Sequence, residues 1–163
     1  MKYIFSFLMI FTIYASADDH ADEVAVLVAV EKYYEARIDR DFKTMVAMES
    51  KNGVCSTNSD GSFHKACVVS TVAGYMKNYP DGLNSVYFPE ATMLTEDAYL
   101  VRFYYEGVVG ENDQPYRTRV TTTWVKEDGN WVLRSQHYSS AAYGGVHQTC
   151  LLYTSPSPRD GFT

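Results

Sequence analysis

Three side chains with acid–base chemistry crowd into neighbouring segments of the chain: Glu106, Arg119 and His137. Histidine titrates near neutral pH, and an arginine can hold an oxyanion or a carboxylate. Together with the carboxylate they make a working acid/base set, and the competing reading is a core histidine beside a structural ion pair. Tyr105, next to Glu106, offers a phenol that could donate to an oxyanion. No Gly-x-Ser-x-Gly elbow supports a serine or cysteine nucleophile. His20, His64 and His147 add no metal-ligand spacing to His137, so neither a metal nor another cofactor is expected.

The element that must position these groups is a hairpin from Tyr116 to Tyr138. Two runs rich in Val, Thr, Trp and Leu flank Asp128-Gly129, a strong short-range hairpin pattern, and carry both tryptophans. A three-residue loop, Glu127-Asp128-Gly129, sets Val125 opposite Trp131 and Arg119 opposite His137. A two-residue loop instead pairs Val120 with His137. Upstream, period-two runs at Ser85 to Leu94 and Ala98 to Val109 add two strands, joined by short polar turns into an antiparallel sheet.

Before the strands the period is helical. Val24, Leu27, Val28, Tyr34 and Ile38, with Glu31 at the edge, predict an apolar stripe on a helix from Asp22 to Arg40, with Asp22 as its N-cap. The charges of Arg37, Asp39, Arg40 and Asp41 mark a break. A second helix follows at Phe42 to Ser50, then a small hairpin of Val54 to Thr57 with Ser62 to His64. A third helix runs from Lys65 to Tyr79, stopped by Pro80-Asp81-Gly82. Helices followed by a run of antiparallel strands read as an α+β two-layer domain.

Composition narrows the classes. A net charge of −6 without any basic run argues against nucleic acid. Aromatics at 15%, with 14 tyrosines, argue against disorder. Met1 to Ala17 has a basic Lys2, an apolar run and Ala15-Ser16-Ala17, the pattern of a signal peptide. Its apolar run of about 12 residues falls short of the ~20 that span a bilayer, so no stable membrane anchor is expected after cleavage. The protein is then secreted or periplasmic, with residues 18–149 as one domain. Cys150 to Asp160 resembles the translation of a transposase adapter used in sequencing libraries, which makes 150–163 a non-native tail. Cys55 and Cys67 remain, and the Asp60-Gly61 turn between them would allow a disulfide; two buried thiols are the alternative.

The order of elements, with EKYYEARIDRDFKTMVAMES in the first helix pair and WVKEDGNWVLRSQHYS at the end, resembles the nuclear-transport-factor-2-like superfamily, in its SnoaL-like and ketosteroid-isomerase-like branches. The likeness covers about Glu23 to Ser140. It implies a curved antiparallel sheet folded around the long first helix into a cone, two shorter helices, a pocket at the open end, and a final histidine facing inward. On that reading Arg119, Thr121, Thr123, Ser135 and His137 form a polar inner stripe, which favours the three-residue loop. Glu106 approaches Arg119, Tyr34, Trp131 and Leu133 supply apolar walls, and Val120, Thr122 and Trp124 face a second subunit. Catalytic family members place an aspartate on the wall, and the inner strand positions show none; Asp39 and Asp41 suit a helix cap instead. The expectation is an exported homodimer that binds a small, partly apolar molecule. One alternative is an isomerase, lyase or cyclase acting on a small carbonyl compound, with His137 as base and Arg119 or Tyr105 at the oxyanion. The other is a non-catalytic dimerisation unit.

Overall fold

Glu127 pairs with Asn130, so Asp128-Gly129 alone makes the turn, with φ of 50° and 78°. Both central residues at positive φ give the primed turn whose twist matches the strands it joins. The computed structural model describes residues 5–58, 65–80, 82–109 and 114–140. The elements are α1 (Phe5–Ile38), α2 (Phe42–Ala47), β1 (Cys55–Thr57), α3 (Val72–Asn78), β2 (Gly82–Thr95), β3 (Ala98–Val109), β4 (Gln114–Glu127) and β5 (Asn130–Ser140). They form an α+β fold in which one five-stranded sheet, ordered β1-β5-β4-β3-β2, curves over α1. The adapter-like tail, His147, and the Ser62 to His64 strand with its Asp60-Gly61 turn lie outside the described residues.

Several expectations shift. The first helix begins at Phe5, so Asp22 is no N-cap; its carboxylate meets Lys126 Nζ at 3.0 Å. Asp41 caps α2, accepting from the Thr44 backbone N–H at 3.1 Å, and the Thr44 hydroxyl holds its carboxyl below the usual range. The third helix starts only at Val72, capped by Thr71. Upstream of it, Val68 exchanges backbone hydrogen bonds with Val54, so this stretch is extended. β1 pairs in parallel with β5, setting Cys55 beside Ser135 and Thr57 beside His137.

The core lies between α1 and the inner sheet face. Tyr99, Val101, Phe103 and Tyr105 of β3 alternate inward, as do Thr118, Val120, Thr122 and Trp124 of β4. Trp124 is wholly buried, and its Nε1 donates to Thr122 Oγ1 at 3.0 Å, which satisfies the indole inside an otherwise apolar layer. From α1 come Val26, Val30, Tyr33 and Tyr34. The stripe expected from the sequence is buried only in part: Tyr34 lies in the core and Leu27 packs against it, while Val24, Val28 and Ile38 are 48%, 55% and 38% exposed. At 3.6 residues per turn the two stripes lie roughly 120° apart around the helix. One packs the core; the other looks toward β2.

A bulge in β5 decides which way His137 points. Trp124 pairs with Leu133, but Thr123 pairs with Ser135, leaving Arg134 without an opposite residue. Before the bulge Trp131 and Leu133 face in; after it Tyr138 does. The strand changes neighbours at the same point. Leu133 exchanges backbone hydrogen bonds with Met48 and Ser50, and β1 takes over at Ser135.

Candidate functional site

The exposed stripe of α1 and the inner edge of β2 enclose a groove of about 520 Å³. That volume suits a small organic ligand. Val24, Leu27, Val28, Val30 and Ile38 line the helix side, and Val86 and Pro89 line the strand side. The polar lining is Glu31, Glu35, Tyr34, Asn84 and Ser85, with no lysine, arginine or histidine among the described lining residues. Asn84 Oδ1 is buried without a hydrogen-bond partner. Asn84 pairs with Gly107 on β3, where a Cβ would lie 2.5 Å from Leu83 O, so the close approach of the two strands requires glycine.

Tyr34 links the groove to a polar network behind it. Its hydroxyl meets that of Tyr138, and Arg37 donates from Nη1 to Tyr138 and from Nε to Tyr79, both at 2.5 Å. The guanidinium lies 4.9 Å from the Tyr34 ring centroid and 5.7 Å from that of Tyr105. Burial works against the charge of Arg37, but the phenols of Tyr138, Tyr34, Tyr79 and Tyr105 outweigh it and keep the group a fixed cation. Burial, and then the neighbouring Tyr138, push the Tyr34 phenol well above its ordinary range, so it stays a neutral donor or acceptor.

A second network lies beneath α2. The Glu49 carboxylate is buried and accepts from Tyr33 at 2.6 Å and from Tyr75. Burial first, then the bond to Glu49, raises the Tyr75 phenol to about 12. The phenols of Tyr33 and Tyr75 are therefore donors at neutral pH, not bases.

The structure separates the acid/base set expected from the sequence. His137 is exposed on the outer face, opposite Thr121, and Arg119, also exposed, is opposite Ser139. Glu106 pairs with Arg117 at 3.0 Å rather than with Arg119. The assignment is inverted at both strands: Arg119, Thr121, Thr123, Ser135 and His137 face outward, while Val120, Thr122 and Trp124, expected at a subunit surface, are inside. At β4 the cause is the two-residue Asp128-Gly129 turn, which sets Lys126, and hence Trp124, on the face of Trp131; at β5 it is the Arg134 bulge, which shifts the register by one from the two-residue pairing. Neither pairing of His137 read from the turn is formed. Tyr34, Tyr105, Trp131 and Leu133 are buried on the inner side; of these only Tyr34 lines the groove. Cys55 and Cys67 are joined by a disulfide.

Residues that the sequence reading passed over include Arg37 and Asn84. Arg37 continues the Val26, Val30, Tyr33 spacing, so helical period alone would have placed it on the core side. Asn84 precedes the expected start of its strand at Ser85 and alternates with Val86, which puts both on the inner face.

Comparison with known proteins fits this geometry. The fold matches the association domain of CaMKII from C. elegans, with a TM-score of 0.61 at 14% identity, over 74% of this chain and 97% of that one. It also matches a type 2 hexachlorocyclohexane dehydrochlorinase, LinA, with a TM-score of 0.60 at 12% identity, over 78% and 90%. An NTF2-like protein of unknown function from Pseudomonas putida gives a TM-score of 0.55 at 15% identity, over 74% and 87%. No curated protein sequence matches. The model of the SnoaL-like domain matches residues 26–143, which takes in the groove-facing part of α1 except Val24 and the whole sheet; the chain belongs to the SnoaL-like family.

Proposed function

We propose that the chain is an exported small-molecule-binding domain, a homodimer, whose ligand lies partly buried in the groove between α1 and β2. One observation carries this reading: an apolar stripe on α1, half-exposed at Val24 and Val28, forms one wall of a cavity of ligand size. Apolar surface gathered in a concavity marks a binding site far better than scattered exposed side chains do. The outward position of His137 supports binding over acid–base chemistry in the cone. Export rests on the leader-like Met1 to Ala17 and agrees with a disulfide, which persists in oxidising compartments. The homodimer draws support from the likeness of the fold to an association domain, that of CaMKII.

The test is binding of Nile red, a neutral apolar dye that fluoresces on leaving water. The protein should bind it, and Val28→Asp should weaken binding at least ~5-fold by setting a charge against the apolar wall. Equal binding by both proteins would exclude the groove.

A further inference from the structure

We infer that two copies of this chain meet along the free edge of β2, through antiparallel pairing of residues 82–88 about a two-fold axis at Ser85; this rests on the homodimer proposed above. β2 has 14 residues and ends the sheet, and among the described residues no strand but β3 pairs with it. An edge strand presents a row of unpaired N–H and C=O groups, which proteins guard by keeping the strand short or by charging it. The opposite edge follows that rule, since β1 has only 3 residues. β2 does not. From Gly82 to Pro89 no side chain is charged, although the chain carries a net charge of −6. Charge begins at Glu90, which Arg102 of β3 already pairs. Two acidic copies can therefore approach along this run without like charges meeting, and no side chain in it selects a partner of opposite sign.

The run is also complementary to itself. Pairing about Ser85 sets Leu83 opposite Tyr87 and Asn84 opposite Val86. Each match joins two odd or two even positions, so outward-pointing backbone groups meet outward-pointing ones. Leu83 and Tyr87 share one face of the strand and both are exposed, so each copy would cover the apolar pair of the other. Phe88 falls opposite Gly82, whose missing side chain leaves room for a ring. Phe88 is 83% exposed at a φ of 53°, in the bulge between Tyr87 and Glu90. A bulky residue at positive φ is strained, and burial of its ring against a second copy would offset that strain. Pro89, which has no N–H, ends the pairing there. On the groove side, Val86 of the second copy lies beside Asn84, so the partner continues the β2 wall of the groove.

The test is analytical ultracentrifugation of the chain and three variants. The wild type should sediment as a dimer. Ser85→Lys sets two ammonium groups against each other on the axis and should weaken the dimer at least ~10-fold, whereas His137→Lys on the outer sheet face should leave it intact. Ser85→Cys, with Cys150→Ser so that no other free cysteine is present, should cross-link two copies on mild oxidation. Residues directly opposite in such a pair have Cβ atoms ~4.5–5.5 Å apart, close to disulfide reach. A dimer that withstands Ser85→Lys, or a Ser85→Cys dimer that yields no cross-link, overturns the inference while the homodimer stands. Dissociation by His137→Lys overturns it in favour of the outer sheet face. A wild type that is monomeric at every concentration removes the homodimer itself, and the inference with it.

Discussion

Tyr75 is where burial and a carboxylate act on the same phenol. It donates to Glu49, a carboxylate that also accepts a hydrogen bond from Tyr33, and its own hydroxyl accepts from Ser70. Ionising it would put a phenolate against Glu49, and its folded value is about 12. An unfolded tyrosine titrates near ~10, so above that pH the native state holds a proton that the unfolded chain has lost. Stability from this group is therefore complete below about pH 10 and declines as pH rises toward 12. Burial also raises Tyr33 and Tyr34 well above the ordinary range, so their contribution declines in the same direction once pH passes about 10. The urea midpoint of the wild type should fall steadily across that window, and Tyr75→Phe should fall less steeply. Parallel curves would show that Tyr75 does not couple to folding. Arg37 belongs to this scale too, because a charge that ordinarily marks a helix break is here solvated by phenols inside the fold.

At the scale of elements, the approach of β2 to β3 shapes the groove. Gly107 lets Leu83 and Asn84 come close, and Gly107→Ala would force the strands apart or twist them. Such overpacking typically costs ~1–3 kcal/mol, and the displaced Asn84 and Val86 should weaken Nile red binding in step. Chemical denaturation and dye titration on one preparation check both effects; a variant as stable as the wild type would mean that the ladder absorbs the methyl freely. The long strands were legible in advance because their alternation is regular and Asp128-Gly129 is a strong turn. The bulge at Arg134 was not, since no glycine or proline marks it and its cause is a change of neighbour from the Met48 to Ser50 segment to β1. That single extra residue sends His137 outward and Tyr138 inward. The apolar stripe of α1 was read correctly as a stripe. What covers it was not legible, because period reports that a face is apolar and says nothing of what lies against it.

For the whole molecule, the question is what holds the helical half of the fold against the sheet. α2 and α3 are short, and isolated helices of such length are not stable in water. Their aromatic side chains meet at Phe42, Tyr75 and Tyr79, with ring centroids 5.5–5.7 Å apart. The segment leading into α3 is tied to β1 twice, by the mutual hydrogen bonds of Val54 and Val68 and by the Cys55–Cys67 disulfide. Closing a loop of 12 residues' separation should add ~2–3 kcal/mol, mainly by restricting the unfolded chain. The double variant Cys55→Ala, Cys67→Ala should therefore melt roughly 6–10 °C lower, and the wild type should match it when reduced. Because Tyr75 and Tyr79 follow this tether, the loss should reach the networks around Glu49 and Arg37, seen as earlier titration of the phenols with rising pH. A melting point unmoved by reduction would assign the hold on α3 to its aromatic contacts alone. It would also remove the stability argument for an oxidising compartment, leaving export to rest on the leader-like Met1 to Ala17.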